Sequence, residues 1–391
     1  MLTAGESHGP ALVGILEGIP AGLAIGEQLI GVQLQRRRQV AGRGGRSHIE
    51  TDAVQILAGV RHGHTLGSPL ALLLTNRDFP QWSEIMSVTA PTLPVEPVTV
   101  PRPGHIDLAG CLKYDTSDTR NVSERASARE TAMRTALGAI CRQLLLELGI
   151  SVGSQVLQAG SICDTNDYGH LTPGQLNLLA DKSPLRCLDP GVSAAMQKAI
   201  DEATATGDTL GGKLAVRVAG VPAGLGSTTQ WDTRLQARLG AALLSIGGMK
   251  GFEIGSGFSG TSRPGSEAND AILPVAGGFR RPSNNAGGLE GGLSNGEEII
   301  LRVAMKPVPT LRRPQQSVDL VTGKSALPPQ ERGDSWAVAA ASIVAEAMTC
   351  LVLVDALLEK FGGDTLNQLQ QHLQASANWS RPKLSHESGD E

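Results

Sequence analysis

Met133, Leu137, Ile140, Leu144 and Leu148 recur at spacings of three and four, so residues 121–148 predict a helix with one apolar face. Asn121 with Glu124 reads as its capping box and Gly149 as its stop. A second helix is expected over 334–361, opened by Asp334 as an N-cap and closed before Gly362-Gly363. Leu235, Leu239 and Leu243 predict a third over 229–245, ending at Gly247-Gly248. A fourth runs over 27–38 and ends in Arg36-Arg37-Arg38, where cations suit the C-terminal end of the helix dipole. Apolar runs at Ala11–Leu16, Ala53–Ala58, Leu70–Leu74, Lys213–Val218 and Glu298–Met305 read as strands. Helices and strands mix without β-α alternation, which favours an α+β class. The long apolar run Trp336–Leu358 is interrupted by Glu346 and Asp355 and reads as a buried helix rather than a membrane span. Residues 364–391 are polar and read as a tail.

The pattern repeats. Residues 5–24, GESHGPALVGILEGIPAGLA, align at an offset of 202 with residues 207–226, GDTLGGKLAVRVAGVPAGLG, with eight of twenty positions identical. Arg102-Pro103 has a counterpart in Lys306-Pro307, and Glu124-Arg125-Ala126-Ser127 has one in Glu331-Arg332-Gly333-Asp334. Three matches in constant order imply a duplication of about half the chain, far longer than a solenoid period. The shared glycines and prolines are scaffold. His8 stands where the second copy has Leu210, which marks His8 as an addition for a site.

Composition narrows the field. A chain of 391 residues can bury a large core as one or two domains. A net charge of −4 with 3% aromatic residues argues against a nucleic-acid binder that stacks bases. The five cysteines lack metal-ligand spacing and read as reduced thiols. With no basic region followed by an apolar core at the amino end, a cytoplasmic location is expected. No metal site is expected.

The candidate chemistry lies in loops. Arg36, Arg37, Arg38, Arg43 and Arg46 fall within eleven residues, the last two in the flexible stretch Gly42-Arg43-Gly44-Gly45-Arg46, and Arg102, Arg120, Arg125, Arg129, Arg134 and Arg332 follow. Solvated surface charge is the plain reading of such a run. Arginine beside glycine, however, suits bidentate recognition of carboxylate and phosphate, which implies a small substrate with several negative charges. His8 and His105 each sit beside glycine off any apolar face, as befits general acids. His62 and His64 are ambiguous. No nucleotide-binding fingerprint is present; Gly287-Gly288-Leu289-Glu290-Gly291-Gly292 is a glycine-rich loop of another kind, either a turn cluster or a close wrap around a planar cofactor.

Taken together, GESHG, QRRRQVAGRGGR, RPGHIDL, DTRNVSERASARETAMR, SNNAGGLEGGLSNGE, MKPVPT and ERGD before a long alanine-rich helix resemble the chorismate synthase family, from residue 1 to about 363. The chain departs from the family at Gly247-Gly248, where other members carry Asn-Ala or Pro-Ala, so only backbone contacts are expected there. The amino end before GESHG is also short.

The resemblance implies a single domain over 1–363, with pseudo-repeat halves of about 1–200 and 201–363 folded as a β-α-β sandwich with internal pseudo-two-fold symmetry. It implies 1,4-anti elimination of phosphate from 5-enolpyruvylshikimate 3-phosphate to give chorismate, with a requirement for reduced FMN and assembly as a homotetramer. Reduction of that FMN is left open between NADPH at the enzyme and an external flavin reductase. By similarity, Arg37, Arg43, Arg46, Arg102, Arg129 and Arg332 would bind substrate. Ser127, Ala128, Arg129, Gly247, Gly248, Gly291, Lys306, Pro307, Val308, Pro309, Thr310 and Arg332 would line the cofactor. His8 would be the acid near the departing phosphate, His105 would sit near flavin N1, and Asp334 would help flavin N5 remove the C6 proton. The rival readings are a polyanion-binding flavoprotein without turnover and a flavin reductase, which would need a nicotinamide site.

Overall fold

The computed structural model of the protein describes residues 1–45, 49–275, 278–330 and 333–377. Its principal strands are β1 (Leu2–Ala4), β2 (Ala11–Leu16), β3 (Val54–Ala58), β4 (Leu70–Thr75), β5 (Ser151–Ala159), β6 (Ile162–Cys163), β7 (Gly212–Ala219), β8 (Met249–Ile254) and β9 (Ile299–Met305). Its principal helices are α1 (Glu27–Arg38), α2 (Asp107–Tyr114), α3 (Arg120–Ala126), α4 (Thr131–Glu147), α5 (Pro173–Ala180), α6 (Pro190–Ala205), α7 (Leu235–Leu244), α8 (Val338–Phe361) and α9 (Leu366–Ala377). The class is α+β, as the sequence pattern predicts.

Two antiparallel sheets form, in the orders β1-β2-β4-β3 and β8-β9-β7-β5-β6. In β2, Leu12 and Leu16 point to the core while Val13 and Ile15 face outward, the period-two pattern of a half-buried strand. Helix α4 packs on β2 and β4, helix α8 packs on β5 and β7, and the two helices pack on each other. These contacts need glycine at two points. A Cβ at Gly14 would lie 2.5 Å from Met133 Sδ, and one at Gly138 would lie 2.4 Å from Ala347 Cβ.

The two copies of the Pro-Ala-Gly turn are latched alike. Thr65 Oγ1 donates to Pro20 O at 2.6 Å and accepts from Leu23 N at 3.0 Å. In the second copy, Ser294 Oγ donates to Pro222 O at 2.6 Å and accepts from Leu225 N at 2.8 Å.

Several boundaries differ from expectation. The helix predicted over 121–148 is broken at Ser127, whose extended backbone (ψ 144°) lets its Oγ accept from Arg129 N before α4 begins. Glu124 forms no capping box with Asn121; its carboxylate goes to His8 instead. Asp334 is not an N-cap. Helix α8 starts at Val338 with Ala337 at the cap position, because Ser335 N and Trp336 N both donate to Gly42 O and hold residues 334–337 against the arginine loop. Residues 229–234 precede α7 rather than belonging to it. Residues 366–377, expected within a polar tail, form α9, and its Leu369 is buried. Helix α8 is the one described helix long and apolar enough to cross a membrane, and 78% of its most apolar window is buried inside the fold.

Candidate active site

One short segment organises most of the site. Residues 124–131 run from the end of α3 through the break at Ser127 to the start of α4. Glu124 accepts the His8 backbone N–H at 2.7 Å and meets His8 Nδ1 at 2.8 Å. Ser7 donates from Oγ to Ser127 Oγ at 3.0 Å, and its N–H reaches Glu124 O at 2.9 Å. The His8 ring stacks on Trp82, with centroids 3.9 Å apart and planes inclined by 21°. Among the described residues, nothing hydrogen-bonds His8 Nε2.

Arg37, on the last turn of α1, is buried and donates to Ala128 O and to Thr131 Oγ1, each at 2.9 Å. Burial pushes its guanidinium down to about 9, the neighbouring Arg43 pushes the same way, and Asp52 opposes. Arg129 is also buried. It pairs with Asp52, donates to Asn76 Oδ1 at 2.9 Å, and reaches Glu50 Oε2 at 3.4 Å. Burial would raise the Asp52 carboxyl, but Arg129 and Arg37 hold it below its usual value. Asn76 ties this group back to the GESHG segment by donating to Gly9 O at 2.8 Å.

Arg43 pairs with Asp334, and Gly44 N donates to the same carboxylate at 2.7 Å. Arg43 Nε is buried without a partner among the described residues. On the other side, Gly333 touches Thr310: a Cβ there would lie 2.9 Å from the Thr310 side chain. Thr310 and Pro309 then face Arg102 and Pro103 across a cleft walled by further prolines. Arg102 donates to Asp107 Oδ2 at 2.7 Å and meets His105 Nδ1 at 3.1 Å, while His105 also bonds Asp107. Burial would raise the Asp107 carboxyl, yet the hydrogen bonds from His105 and Arg102 hold it far below its usual range. Both site histidines therefore present Nδ1 to a carboxylate.

The expected cofactor residues fall on this arrangement unevenly. Lys306 N donates to Gly248 O at 2.9 Å, which joins two of the expected cofactor segments, and Lys306 Nζ donates to Gly104 O. The repeat partners Arg102-Pro103 and Lys306-Pro307 thus stand in facing loops. Arg134 bonds Ser245 Oγ at 2.8 Å, bringing the 245–248 turn to the start of α4 beside Ala128 and Arg129. Gly291 lies at the tip of a hairpin that packs on Ser227 and Arg234 through Gly292. Arg46 and Arg332 lie outside the described residues.

The remaining arginines sort themselves by partner. Arg36 joins Glu346 at 2.9 Å and Asp181 at 2.8 Å, Arg120 pairs with Asp118 at 2.8 Å, and Arg125 bonds Thr3 at 2.8 Å. His62 and Gly63, both at positive φ, form the two-residue turn of a hairpin, so the ambiguous His62 is a turn residue. Glu50, Asp52, Asn76, Trp82 and Asp107 carry no signal in the sequence pattern, and Glu124 reads there as a helix cap rather than a site residue. The one signal for Glu124 is its place opposite Glu331 in the repeat.

Residues 1–358 match the family model described as chorismate synthase. The chorismate synthase of Moorella thermoacetica is 51% identical over 375 residues, covering 96% of this chain and 97% of its own. Chorismate synthase 1 of Bacillus cereus is 47% identical over 386 residues, covering 97% and 99%. A solved structure described as a crystal structure of chorismate synthase aligns with a TM-score of 0.78 at 39% identity, covering 97% of each chain.

Proposed function

Since the chain belongs to the chorismate synthase family, we propose that the elimination of phosphate is performed by the side chains gathered on residues 124–131 together with Arg43, Arg102, His105 and Asp334. The enzyme is a lyase that converts 5-enolpyruvylshikimate 3-phosphate to chorismate, a step of aromatic amino acid biosynthesis. The observation that carries the assignment of the site is the segment itself. Glu124 holds His8, Ala128 and Thr131 hold Arg37, and Arg129 crosses to Asp52.

The reaction breaks the C6–H bond, whose electrons form a new C1–C6 double bond, moves the ring double bond from C1–C2 to C2–C3 and opens the C3–O bond, so that a proton and phosphate leave. Arg37, Arg43, Arg102 and Arg129, with Arg46 and Arg332 from the same motifs, meet the two carboxylates and the phosphate of the substrate. Their paired carboxylates Asp52, Asp107 and Asp334 keep the guanidinium planes fixed before substrate arrives, so little orientation remains to be lost on binding. His8 delivers the proton at Nε2 to the departing phosphate. Asp334 accepts the proton released from C6. His105, anchored by Asp107, places a polar ring next to the cofactor-binding loop.

The donor set fits FMN. Gly247 has open space where a Cβ would stand, Lys306 and Arg102 bring two cations to facing loops, and Arg43 Nε is a buried donor still unpartnered among the described residues. Ser127, Ala128, Arg129, Gly247, Gly248 and Lys306–Thr310 would hold it, with Gly291 from its hairpin. Reduced FMN supplies electron density to phosphate loss when bound.

The same family reading extends to a single domain over 1–363 built as a pseudo-two-fold β-α-β sandwich. The matching latches at Thr65 and Ser294 support it. A homotetramer follows the family, and the outward face of the first sheet supports assembly. There Leu2 is 73% exposed, Ile15 41% and Val13 37%, an apolar face that self-association would cover. Light scattering tests the assembly. The function is tested by an anaerobic assay in which substrate is converted with chemically reduced FMN and not with oxidised FMN or without flavin. Equal conversion in all three overturns the flavin requirement.

A further inference from the structure

We propose that Glu124 is a positioning residue that fixes which nitrogen of His8 handles the proton; the proposal rests on the reading of His8 as the acid. A carboxylate only accepts hydrogen bonds. Its Oε1, 2.8 Å from His8 Nδ1, therefore requires a proton on Nδ1. Its Oε2 accepts the His8 backbone N–H at 2.7 Å, so a single side chain fixes both the ring and the main chain that carries it.

Two further contacts restrict the residue. The Glu124 carbonyl accepts Ser7 N–H at 2.9 Å, which sets the strand approach one residue earlier. Trp82 covers one face of the imidazole at 3.9 Å and blocks ring rotation. Glu124 is 8% exposed, so the contact is shielded from water, whereas the His8 side chain keeps 22% of its surface open.

The consequence is directional. With Nδ1 committed to Glu124, the nitrogen that gains and gives a proton is Nε2. After transfer, the neutral ring is left with its proton on Nδ1 and its vacant nitrogen towards the site. The carboxylate charge also balances the doubly protonated ring while it waits to donate. Without Glu124, the neutral ring divides between two tautomers and a fraction of the enzyme holds His8 the wrong way round.

The test joins a tautomer measurement to kinetics. Nitrogen-15 NMR of the imidazole in the wild-type protein should place the neutral ring's proton on Nδ1, and Glu124→Gln should shift it towards Nε2. Turnover of Glu124→Gln should fall about 10- to 100-fold, as when a group orienting a functional histidine is lost, with KM changed less than about threefold. Added to His8→Ala, the same substitution should cost little more, since there is no ring left to orient. A wild-type ring whose neutral form carries its proton on Nε2 overturns the proposal even if the variant does not fold. Wild-type turnover in Glu124→Gln beside a slow His8→Ala also overturns it. A full-rate His8→Ala is a different result: it sinks the reading of His8 as the acid, and the proposal with it.

Discussion

Arg43 holds Asp334. Its guanidinium donates to one carboxylate oxygen while the neighbouring Gly44 N–H donates to the other at 2.7 Å. The carboxylate that sequence pattern places at a helix cap is thereby turned towards the arginine loop, four residues ahead of the helix it was expected to start. A cap explanation for this aspartate is gone; its carboxylate holds the arginine loop instead, and its proposed part in removing the C6 proton is what a substitution there tests.

Asp334→Asn should therefore reduce turnover by at least about 100-fold, the scale of a lost proton acceptor. Stability should change by about 1 kcal/mol or less, because the Arg43–Asp334 pair is partly exposed. The residual rate should show a larger isotope effect when C6 carries deuterium. A variant with wild-type turnover would move the proton acceptor elsewhere.

His8→Ala should fold, since Leu210 occupies the matching position of the second copy without a histidine. Turnover should fall by about 10²–10⁴. Melting curves and steady-state rates together decide the matter: a variant that unfolds, or one that keeps its rate, removes His8 from the chemistry.

Arg129→Ala should cost stability as well as substrate binding. The buried guanidinium pairs with Asp52, and its removal leaves that buried carboxylate with Arg37 at 3.8 Å as the nearer remaining cation, a loss of about 3–5 kcal/mol by the usual cost of breaking such a pair. In the wild type the Asp52 carboxyl is held low, so its contribution is present at neutral pH and lost in acid. In the variant Asp52 loses the strongest of the charges that oppose burial, so its carboxyl moves up from its wild-type position and protonation relieves part of the deficit. The stability gap between the two proteins should narrow as pH falls from about 7 to about 4. A gap that stays constant in thermal melts across that range would show that Asp52 does not depend on Arg129.

What the sequence disclosed and what it hid have physical reasons. Ala11–Leu16 matched its expected bounds because buried and exposed positions alternate along it, and Glu27–Arg38 matched because an acidic first turn and a run of three arginines mark its two ends. Ser151–Ala159 was missed because it is buried almost throughout and carries Ser154 and Gln155 inside, so no alternation marks it. The arginines and histidines of the site were legible as residue types beside glycine. Their partners were not, because Glu124 lies 116 residues from His8 and Asp52 lies 77 from Arg129. The break at Ser127 was hidden by the apolar spacing of α4, which says nothing of the turn that precedes it.

A heavily buried charge also lies behind the site, at Glu346. Glu346, on α8, accepts from Arg142 at 2.8 Å, Arg36 at 2.9 Å, Arg186 at 3.2 Å and Ser154 Oγ at 2.6 Å. Burial would raise its carboxyl, but the three guanidiniums prevail and push it down to about 2 from an ordinary 4.5. A carboxyl lower in the folded than in the unfolded chain contributes stability above its unfolded value and loses it as pH falls through the folded one. The loss should therefore run from about pH 4.5 down to about pH 2. Glu346→Gln keeps the shape and removes the charge, leaving Arg36 and Arg186 with Asp181 as their counter-ion and Arg142 without its carboxylate partner. It should cost about 3–5 kcal/mol at neutral pH. Because the wild-type carboxyl becomes neutral in acid, the two stability curves should converge there, and the contribution of Asp52, common to both proteins, cancels from the difference. Denaturant unfolding of both proteins at a series of pH values measures that difference directly. Curves that remain parallel down to the wild-type acid transition would show that this buried charge is not what links α8 to Arg36 and Arg186.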